Sequence, residues 1–170
     1  MEPAPDSARV LGARWSGPED CAALAEVRAV AWRYAYAGLI PEPALSRMIS
    51  RRGAAWWRRL HEGPGKALVA VLGDEVVGYA LLARCRSGRG GEIQELYIRP
   101  DCQGLGFGSR LFATARAEFR ARGLAPLTVW CLAENRIGVA FYRALGGVVT
   151  GRGAEPFPGA CLEKLRFGWP

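Results

Sequence analysis

Three glycines at alternate positions stand where a helix is predicted to begin: Gly104, Gly106 and Gly108, in the stretch CQGLGFG. The residues that follow Ser109 are good helix formers. The first turn of a helix leaves backbone N–H groups without intrahelical partners, and the helix dipole places partial positive charge there. Because glycine has no Cβ atom to hold a ligand away, this pattern indicates a loop that cradles a phosphate or pyrophosphate.

Three other interpretations of the glycine loop compete with this one. A P-loop fails because G-x-x-x-x-G-K-[ST] is absent and Arg110 is not a lysine followed by a hydroxyl residue. A dinucleotide fingerprint is disfavoured because it belongs to an early βαβ unit, whereas the strands predicted before this loop form a meander. A simple tight turn stays open on the evidence of the glycines alone.

The pattern extends beyond the loop through two segments, ELYIRPDCQGLGFGSRLFATARAEFRARG and LTVWCLAENRIGVAFYRALGG. Together they resemble the GCN5-related N-acetyltransferase (GNAT) family, whose signature is a Q/R-x-x-G-x-G/A loop between its fourth strand and third helix, here 103–108. The family also has an Asn and, seven residues later, a Tyr on one helix, here Asn135 and Tyr142. The resemblance covers about 60 residues, and AWRYAYAGLIPE upstream is a looser match to the family's substrate-side helix.

The resemblance implies acetyl-CoA as the donor and an amine as the acceptor. In the family, N–H groups of the loop hold the CoA pyrophosphate, and the backbone of the fourth strand holds the pantetheine arm. The N–H of Ile98 would polarise the acetyl carbonyl, and Asn135 would orient the pantetheine or the surroundings of Tyr142. Simple packing for Tyr97 and a plain helix N-cap for Asn135 are the alternatives. The residues assigned in this way to the cofactor are Leu96, Tyr97, Ile98, Gln103, Gly104, Leu105, Gly106, Phe107, Gly108, Ser109, Asn135 and Tyr142.

Two residues are candidates for proton transfer. By the resemblance, Tyr142 donates a proton to the leaving CoA thiolate, and the alternative is a core aromatic. An amine must lose a proton before it attacks, and Glu92 and Glu95 both lie on the fourth predicted strand. Strand alternation puts these two carboxylates on different faces. We expect Glu95, which leads into the pantetheine strand, to be the base, directly or through water; the alternative is a surface carboxylate.

A covalent route through the protein is disfavoured. His61 is the one histidine, follows an arginine-rich helix and is predicted to face solvent. No cysteine has a matching context for Cys–His chemistry, so we predict direct transfer in a ternary complex. The five cysteines are an odd number and form no C-x-x-C pair, which favours neither a disulfide framework nor a metal site. No metal cofactor is predicted.

Aromatic residues on the first two predicted helices are the candidates for the acceptor side. Trp32 and Tyr36 are the predicted substrate-binding residues, and Tyr34, Trp56 and Trp57 lie on the same two predicted helices. They would form an aromatic wall for an apolar or cationic amine, although core packing is the commoner fate of helical aromatics. The acceptor is either a small-molecule amine or an amine of a peptide or protein, and the sequence does not choose between them.

The elements that must position these residues follow from hydrophobic periodicity. In chain order they are a strand at 8–15, a helix from about 16 to 37, a helix at 42–61, a hairpin turning at Gly73–Asp74, a strand ended by Pro100, a helix over about 106–122, a strand at 127–133, a helix at 134–146, and a strand pair at 147–152 and 160–169. This order predicts a mixed α/β fold of the α+β type, similar to the GNAT fold, with a central, mostly antiparallel, twisted sheet and helices on both faces. A length of 170 residues predicts one N-acetyltransferase domain over 1–170, with 1–7 as a loose tail.

The charge and hydropathy of the sequence limit the classes of partner that we expect. The net charge is +7, but the 23 basic residues are scattered rather than blocked, so no nucleic-acid partner is expected. No apolar run reaches the roughly 18 residues that cross a bilayer, and MEPAPDSARV does not read as a signal peptide. We therefore expect a cytoplasmic protein without a membrane partner; a homodimer is compatible with the sequence. Two rival functions stay open, a non-catalytic CoA-binding regulator of the same fold and a basic nucleic-acid-binding domain.

Overall fold

The computed structural model describes residues 11–64, 67–86 and 88–170. Within these residues, seven strands form one sheet in the order β1-β2-β3-β4-β5-β7-β6. The strands are β1 (Leu11–Trp15), β2 (Ala67–Leu72), β3 (Glu75–Arg84), β4 (Gly91–Ile98), β5 (Leu127–Leu132), β6 (Val148–Phe157) and β7 (Ala160–Trp169). The helices are α1 (Cys21–Tyr36), α2 (Glu42–Arg51), α3 (Ala54–Glu62), α4 (Phe107–Ala121) and α5 (Arg136–Ala144). Every strand pair is antiparallel except β4–β5.

The two faces of the sheet carry different cores. On one face, α4 buries Leu111 and Phe119 against Ile93 of β4 and other strand residues. On the opposite face, α1 and α3 bury side chains such as Leu24 and Trp57 against β2 and β3. The predicted mixed fold, with a mostly antiparallel sheet and helices on both faces, is therefore confirmed.

Strands β4 and β5 separate part-way along their length. They pair in parallel only between 91–93 and 127–129. Beyond that point β4 pairs with β3, and β5 pairs with β7. A gap therefore opens in the middle of the sheet, and alternate backbone groups along both strands face it.

A bulge in β4 decides which face its later side chains reach. Leu81 pairs with Glu95 while the adjacent Leu82 pairs with Ile93, so Gln94 is an extra residue. Ile93 packs in the α4 core, yet Glu95, two residues on, bonds to side chains on the α1 face. Glu92 is next to Ile93 and so also lies on the α1 face. The prediction that Glu92 and Glu95 lie on different faces is therefore wrong.

The second predicted helix, 42–61, is in fact two helices. Arg52 leaves helical geometry after α2, and Gly53 is extended, with φ −74° and ψ −174°, before α3 begins. The break lets Arg52 turn toward the sheet, where it forms an ion pair with Glu95. The predicted tail at 1–7 and the start of the first predicted strand lie outside the described residues.

Three further features concern membrane helices, metal-binding groups and cysteines. No helix in the described parts of the chain combines the length and apolar character needed to cross a membrane. Within the same residues, no group of three or more His, Cys, Asp or Glu side chains is placed to hold a metal ion. All five cysteines are free thiols, and Cys161 is the exposed one.

Candidate active site

A cavity of about 590 Å³ opens where β4 and β5 separate. Its walls are residues 94–98 of β4, 129–131 of β5, the loop before α4, the start of α5 and the last turns of α1. Because β4 and β5 are unpaired with each other here, backbone N–H and C=O groups of both strands are available to a ligand.

The glycine loop forms one end of this cavity. Gly104 and Gly106 have φ values of 76° and 88°, a left-handed backbone in which other residues are strained. A Cβ atom added at either position would meet no atom within 4 Å, so open space lies in front of the loop. Gly108 serves a different purpose, because a Cβ atom there would press on the Phe141 ring at 3.1 Å. Two glycines shape the loop, and the third lets α5 come close.

The N-terminus of α4 points its unpaired backbone donors toward this space. The helix begins at Phe107, one residue later than predicted, and no side chain caps it. The first N–H to bond back into the helix is that of Arg110, to the Gly106 carbonyl at 3.1 Å. The loop is tied to β4 by Gln103, whose Nε2 donates to the Ile98 carbonyl at 3.2 Å. The open space, the unpaired N–H groups and the helix dipole together fit a pyrophosphate.

Not every residue assigned to the cofactor by resemblance lies in the cavity wall. Leu105 and Phe107 are outside it, whereas the other ten line it. The Phe107 side chain is buried in the α4 core, and half of the Leu105 side chain is exposed. Any contribution of these two residues to a bound phosphate therefore comes from their backbone.

Tyr142 lies in the cavity wall with its ring almost fully buried. The ring packs against Phe167 and Trp169, with centroids 5.6 Å and 6.0 Å away. Burial raises the pKa of the Tyr142 phenol well above its usual value, and the neighbouring Cys131 and Tyr36 add to the effect. The phenol therefore stays protonated throughout the physiological pH range.

Asn135 is the N-cap of α5. Its Oδ1 accepts a hydrogen bond from the Gly138 N–H at 3.0 Å, so the N-cap interpretation is confirmed. The residue also lines the cavity, two helical turns before Tyr142. The same side chain thus starts the helix that carries Tyr142 and borders the space in front of it.

Glu95 lines the cavity, but both of its oxygens already accept hydrogen bonds. Arg52 donates to Oε1, and the Tyr79 hydroxyl donates to Oε2 at 2.6 Å. Arg28 Nε lies 3.5 Å from Oε2, and Arg28 itself is only 2% exposed. One carboxylate is thus shared by two guanidinium groups, which leaves a net positive charge in this cluster.

The predicted aromatic wall is divided between the cavity and the core. Tyr34 and Tyr36 line the cavity. Trp32 lies behind them, with its ring centroid 5.2 Å from that of Tyr36. Trp57 is fully buried and packs edge-on against Trp56, away from the cavity. Core packing therefore accounts for Trp57, and Trp32 supports the wall without lining it.

His61 is half-buried and both of its ring nitrogens have partners in the protein, whereas it was predicted to face solvent. Its Nε2 lies 2.8 Å from Ser16 Oγ, and its Nδ1 lies 2.8 Å from the Trp57 carbonyl. Because a carbonyl only accepts, Nδ1 carries the proton and the ring ties α3 to the segment before α1. His61 is not among the residues that line the cavity.

Sequence reasoning missed several side chains that border or support the cavity. The Tyr97 hydroxyl lies 2.7 Å from the Tyr36 hydroxyl, although only the Tyr97 backbone was expected to matter. Arg28 of α1 and Arg52, the residue after α2, both contact Glu95. No local pattern marks these arginines among the many in the chain, since their partner lies more than 40 residues away.

Comparison with known proteins places this geometry in a family. The sequence pattern of the "Acetyltransferase (GNAT) family" matches residues 24–146. Mycothiol acetyltransferase from Cellulomonas flavigena is 34% identical over 90 residues, which cover 53% of this chain and 22% of that protein. Mycothiol acetyltransferase from Streptomyces scabiei is 29% identical over 98 residues, covering 58% and 30%. The chain thus spans less than a third of the length of these curated relatives.

Solved structures share the fold. The PaiA N-acetyltransferase of Thermoplasma acidophilum, in complex with coenzyme A, matches with a TM-score of 0.74 at 18% identity, over 94% of this chain and 100% of that chain. The family pattern covers well over half of the chain and includes the glycine loop, Asn135 and Tyr142. As the resemblance predicted, this chain belongs to the acetyltransferase (GNAT) family.

Proposed function

We propose that this chain is an acetyl-CoA-dependent N-acetyltransferase that moves an acetyl group to a primary amine by direct attack in a ternary complex. The observation that carries the proposal is one continuous cavity with the α4 N-terminus at one end and Tyr142 in its wall. When bound, acetyl-CoA supplies an acetyl thioester, and everything else in the reaction falls to side chains and backbone groups of this chain.

Backbone groups do most of the binding in this proposal. The N–H groups from Gly104 to Ser109 hold the pyrophosphate at the helix N-terminus. The Arg99 N–H bonds to the Val77 carbonyl of β3 and Tyr97 pairs with Tyr79, so the Tyr97 backbone faces β3. The edge of β4 that holds the pantetheine arm is therefore that of Leu96 and Ile98, and the Ile98 N–H is the oxyanion donor. The separation of β4 from β5 beyond residues 93 and 129 supports this reading, because it frees these groups from pairing within the sheet.

Tyr142 is the proton donor to the leaving thiolate. Its buried, protonated phenol keeps the proton available at neutral pH. A phenol with a raised pKa is a weak acid, so its contribution depends on being held next to the sulfur rather than on its acidity. The ring packing against Phe167 and Trp169 supplies that rigidity.

Glu95 accepts the proton of the amine through a water molecule. The Arg52 and Tyr79 donors each take one lone pair of a Glu95 oxygen, and we place a water between the carboxylate and the amine. Each carboxylate oxygen has a second lone pair, so a bridging water still has a place to donate. The carboxylate remains part of the wall that the acceptor meets.

Direct transfer is favoured over an acyl-enzyme. Cys131 lies in the cavity wall close to Tyr142, and burial raises its pKa to about 12. A thiol in this state offers almost no thiolate at neutral pH, and the thiolate is the nucleophile. The cavity holds no histidine that would activate it.

A small-molecule amine is the proposed acceptor class. The matched relatives bear the name mycothiol acetyltransferase, which favours a small molecule over a protein amine. The wall beside the gap is aromatic, with Tyr34, Tyr36 and Trp130 among its residues. Such a wall accommodates an apolar body next to the reacting nitrogen.

The test is thiol release from acetyl-CoA with four amines of different character: benzylamine, spermidine, glucosamine and a peptide beginning with alanine. We expect release above the amine-free rate with at least one of the three small amines. Calorimetric binding of acetyl-CoA without turnover of any amine would instead identify a CoA-binding regulator. Absence of acetyl-CoA binding would contradict the proposal at its first step.

A further inference from the structure

We infer that the hydroxyl groups of Tyr36 and Tyr97 act as a pair that positions the attacking nitrogen of the acceptor amine. This inference rests on the proposed function and assigns a specific polar contact to its acceptor side. Trp32 and Tyr36 were expected to offer aromatic surface, and Tyr97 to offer only backbone. The structure adds a polar element that links the two sides of the cavity.

The pair is a direct hydrogen bond between distant parts of the chain. Tyr36 ends α1 and Tyr97 is near the end of β4, and their hydroxyl oxygens are 2.7 Å apart. Both residues line the cavity. Tyr36 is 7% exposed and Tyr97 is half-buried, so the oxygens meet in a largely dehydrated place. A polar contact made there is stronger than one on the surface.

The pair lies on the side of the sheet that the donor leaves free. The bulge at Gln94 turns the Tyr97 side chain to the α1 face, where it packs with Trp32 and Tyr36. The glycine loop leads into α4, which packs on the opposite face. A donor held by that loop and by the β4 backbone therefore meets an acceptor that approaches from the α1 face, past this pair.

The hydrogen-bonding capacity of the pair matches an amine. Two phenols carry two protons, and their mutual bond uses one of them. The Asn135 side chain also donates to the Tyr36 oxygen and takes one lone pair, so the pair keeps one O–H donor and two lone pairs for a ligand. A primary amine attacks with its lone pair while its N–H groups donate, so a fixed phenol oxygen can orient the nitrogen without blocking the attack.

Neighbouring rings hold both hydroxyls in place. Trp32 packs against Tyr36 and Tyr97, with centroids 5.2 Å and 6.0 Å away, and Tyr79 packs against Tyr97 at 6.0 Å. Burial raises the pKa of Tyr36 to about 12, so the pair keeps both protons at neutral pH. With the rings fixed, only the hydroxyl hydrogens are free to rotate, and the pair offers a rigid contact.

The test uses Tyr36→Phe, Tyr97→Phe and the double variant, which keep the rings and remove the hydroxyls. With the best amine of the panel above, we expect kcat/KM for the amine to fall about tenfold in each single variant. The double variant should fall by about the same factor rather than a hundredfold, because each hydroxyl works through the other. KM for acetyl-CoA should stay within about twofold, which separates positioning of the amine from loss of the fold.

The matched control is Ser16→Ala, which removes a buried hydroxyl bonded to His61, outside the cavity. It should lower the melting temperature and leave both kinetic constants near wild type. Three results would each overturn the inference. The first is a wild-type kcat/KM for the amine in both tyrosine variants, and the second is a tenfold rise in KM for acetyl-CoA. The third is an additive, hundredfold loss of kcat/KM for the amine in the double variant. If the unmodified protein binds acetyl-CoA but turns over no amine, the proposed function fails instead.

Discussion

The two ends of the cavity differ in whether backbone groups or side chains line them. The end beside α4 consists of backbone, with two left-handed glycines, an uncapped helix N-terminus and the free edge of β4. The end beside α1 consists of side chains, with Glu95 between Arg28 and Arg52, and with Tyr36 bonded to Tyr97. The first end needs one short stretch of sequence, whereas the second needs residues from α1, the end of α2 and β4.

This difference teaches what each end is able to recognise. Backbone N–H groups at a helix N-terminus bind a phosphate of almost any molecule that presents one. In the proposed function the end beside α4 is the donor end and the end beside α1 is the acceptor end. We therefore expect substitutions among the phenols and the arginine–glutamate cluster to change which acceptor fits.

The largest effect is expected at Tyr142, where the two ends meet. Tyr142→Phe should reduce kcat at least about a hundredfold, because a positioned general acid contributes a factor of that order or more. The affinity for acetyl-CoA should change little, since the ring and its packing remain. Initial rates and calorimetry on the same preparation check both statements. Wild-type kcat in this variant would remove Tyr142 from the acid role.

The next effect concerns stability at the acceptor end. Glu95→Gln leaves the buried Arg28 without its anionic partner, and we expect unfolding free energy to fall by about 3 kcal/mol. Urea denaturation measures this change. Glu163→Gln is the matched control, because its ion pair with Arg152 lies on the surface and should contribute nothing measurable. Equal unfolding free energies for the two variants would show that the ion pairs of Glu95 do not stabilise the fold.

At the donor end, Gly106→Val should weaken acetyl-CoA binding about tenfold or more. A φ of 88° is strained for a β-branched residue, and the valine side chain would enter the space proposed for the ligand. The matched control is Gly123→Val at the other end of α4. Gly123 also has a positive φ, 66°, with open space around its Cβ position, but it is remote from the cavity. Equal affinity in the two variants would contradict the phosphate cradle.

The smallest effect is expected from thiol modification. With a pKa of about 12, Cys131 has roughly one part in ten thousand as thiolate at pH 8. Iodoacetamide at pH 8 should label the exposed Cys161 first and change turnover less than about twofold. Mass spectrometry identifies the labelled residue. Loss of turnover in step with labelling of Cys131 would favour a reactive thiol and an acyl-enzyme route.

The contrast between the two ends also explains how far the sequence alone reaches. The glycine loop and the Asn135–Tyr142 spacing are local patterns, and they led directly to the family and to the donor side. The β4 strand was predicted too, but not its bulge at Gln94, because one extra residue leaves no periodic signal. That single residue decides the face of Glu95 and Tyr97.

The acceptor end was less predictable for a related reason. Its contacts join residues that are distant in sequence, such as Arg52 with Glu95 and Tyr36 with Tyr97. Gly53 breaks the predicted long helix, and this break brings Arg52 to the sheet. The aromatics on α1 and α3 looked alike in sequence, yet Tyr36 lines the cavity and Trp57 fills the core.

The central claim is that one cavity holds the donor at the glycine loop and brings its thioester to Tyr142. A crystal structure with coenzyme A tests this most directly. We predict pyrophosphate oxygens within hydrogen-bond distance of N–H groups between Gly104 and Ser109, and the thiol sulfur beside the Tyr142 hydroxyl. A pyrophosphate bound away from the α4 N-terminus, or a sulfur remote from Tyr142, would contradict the account.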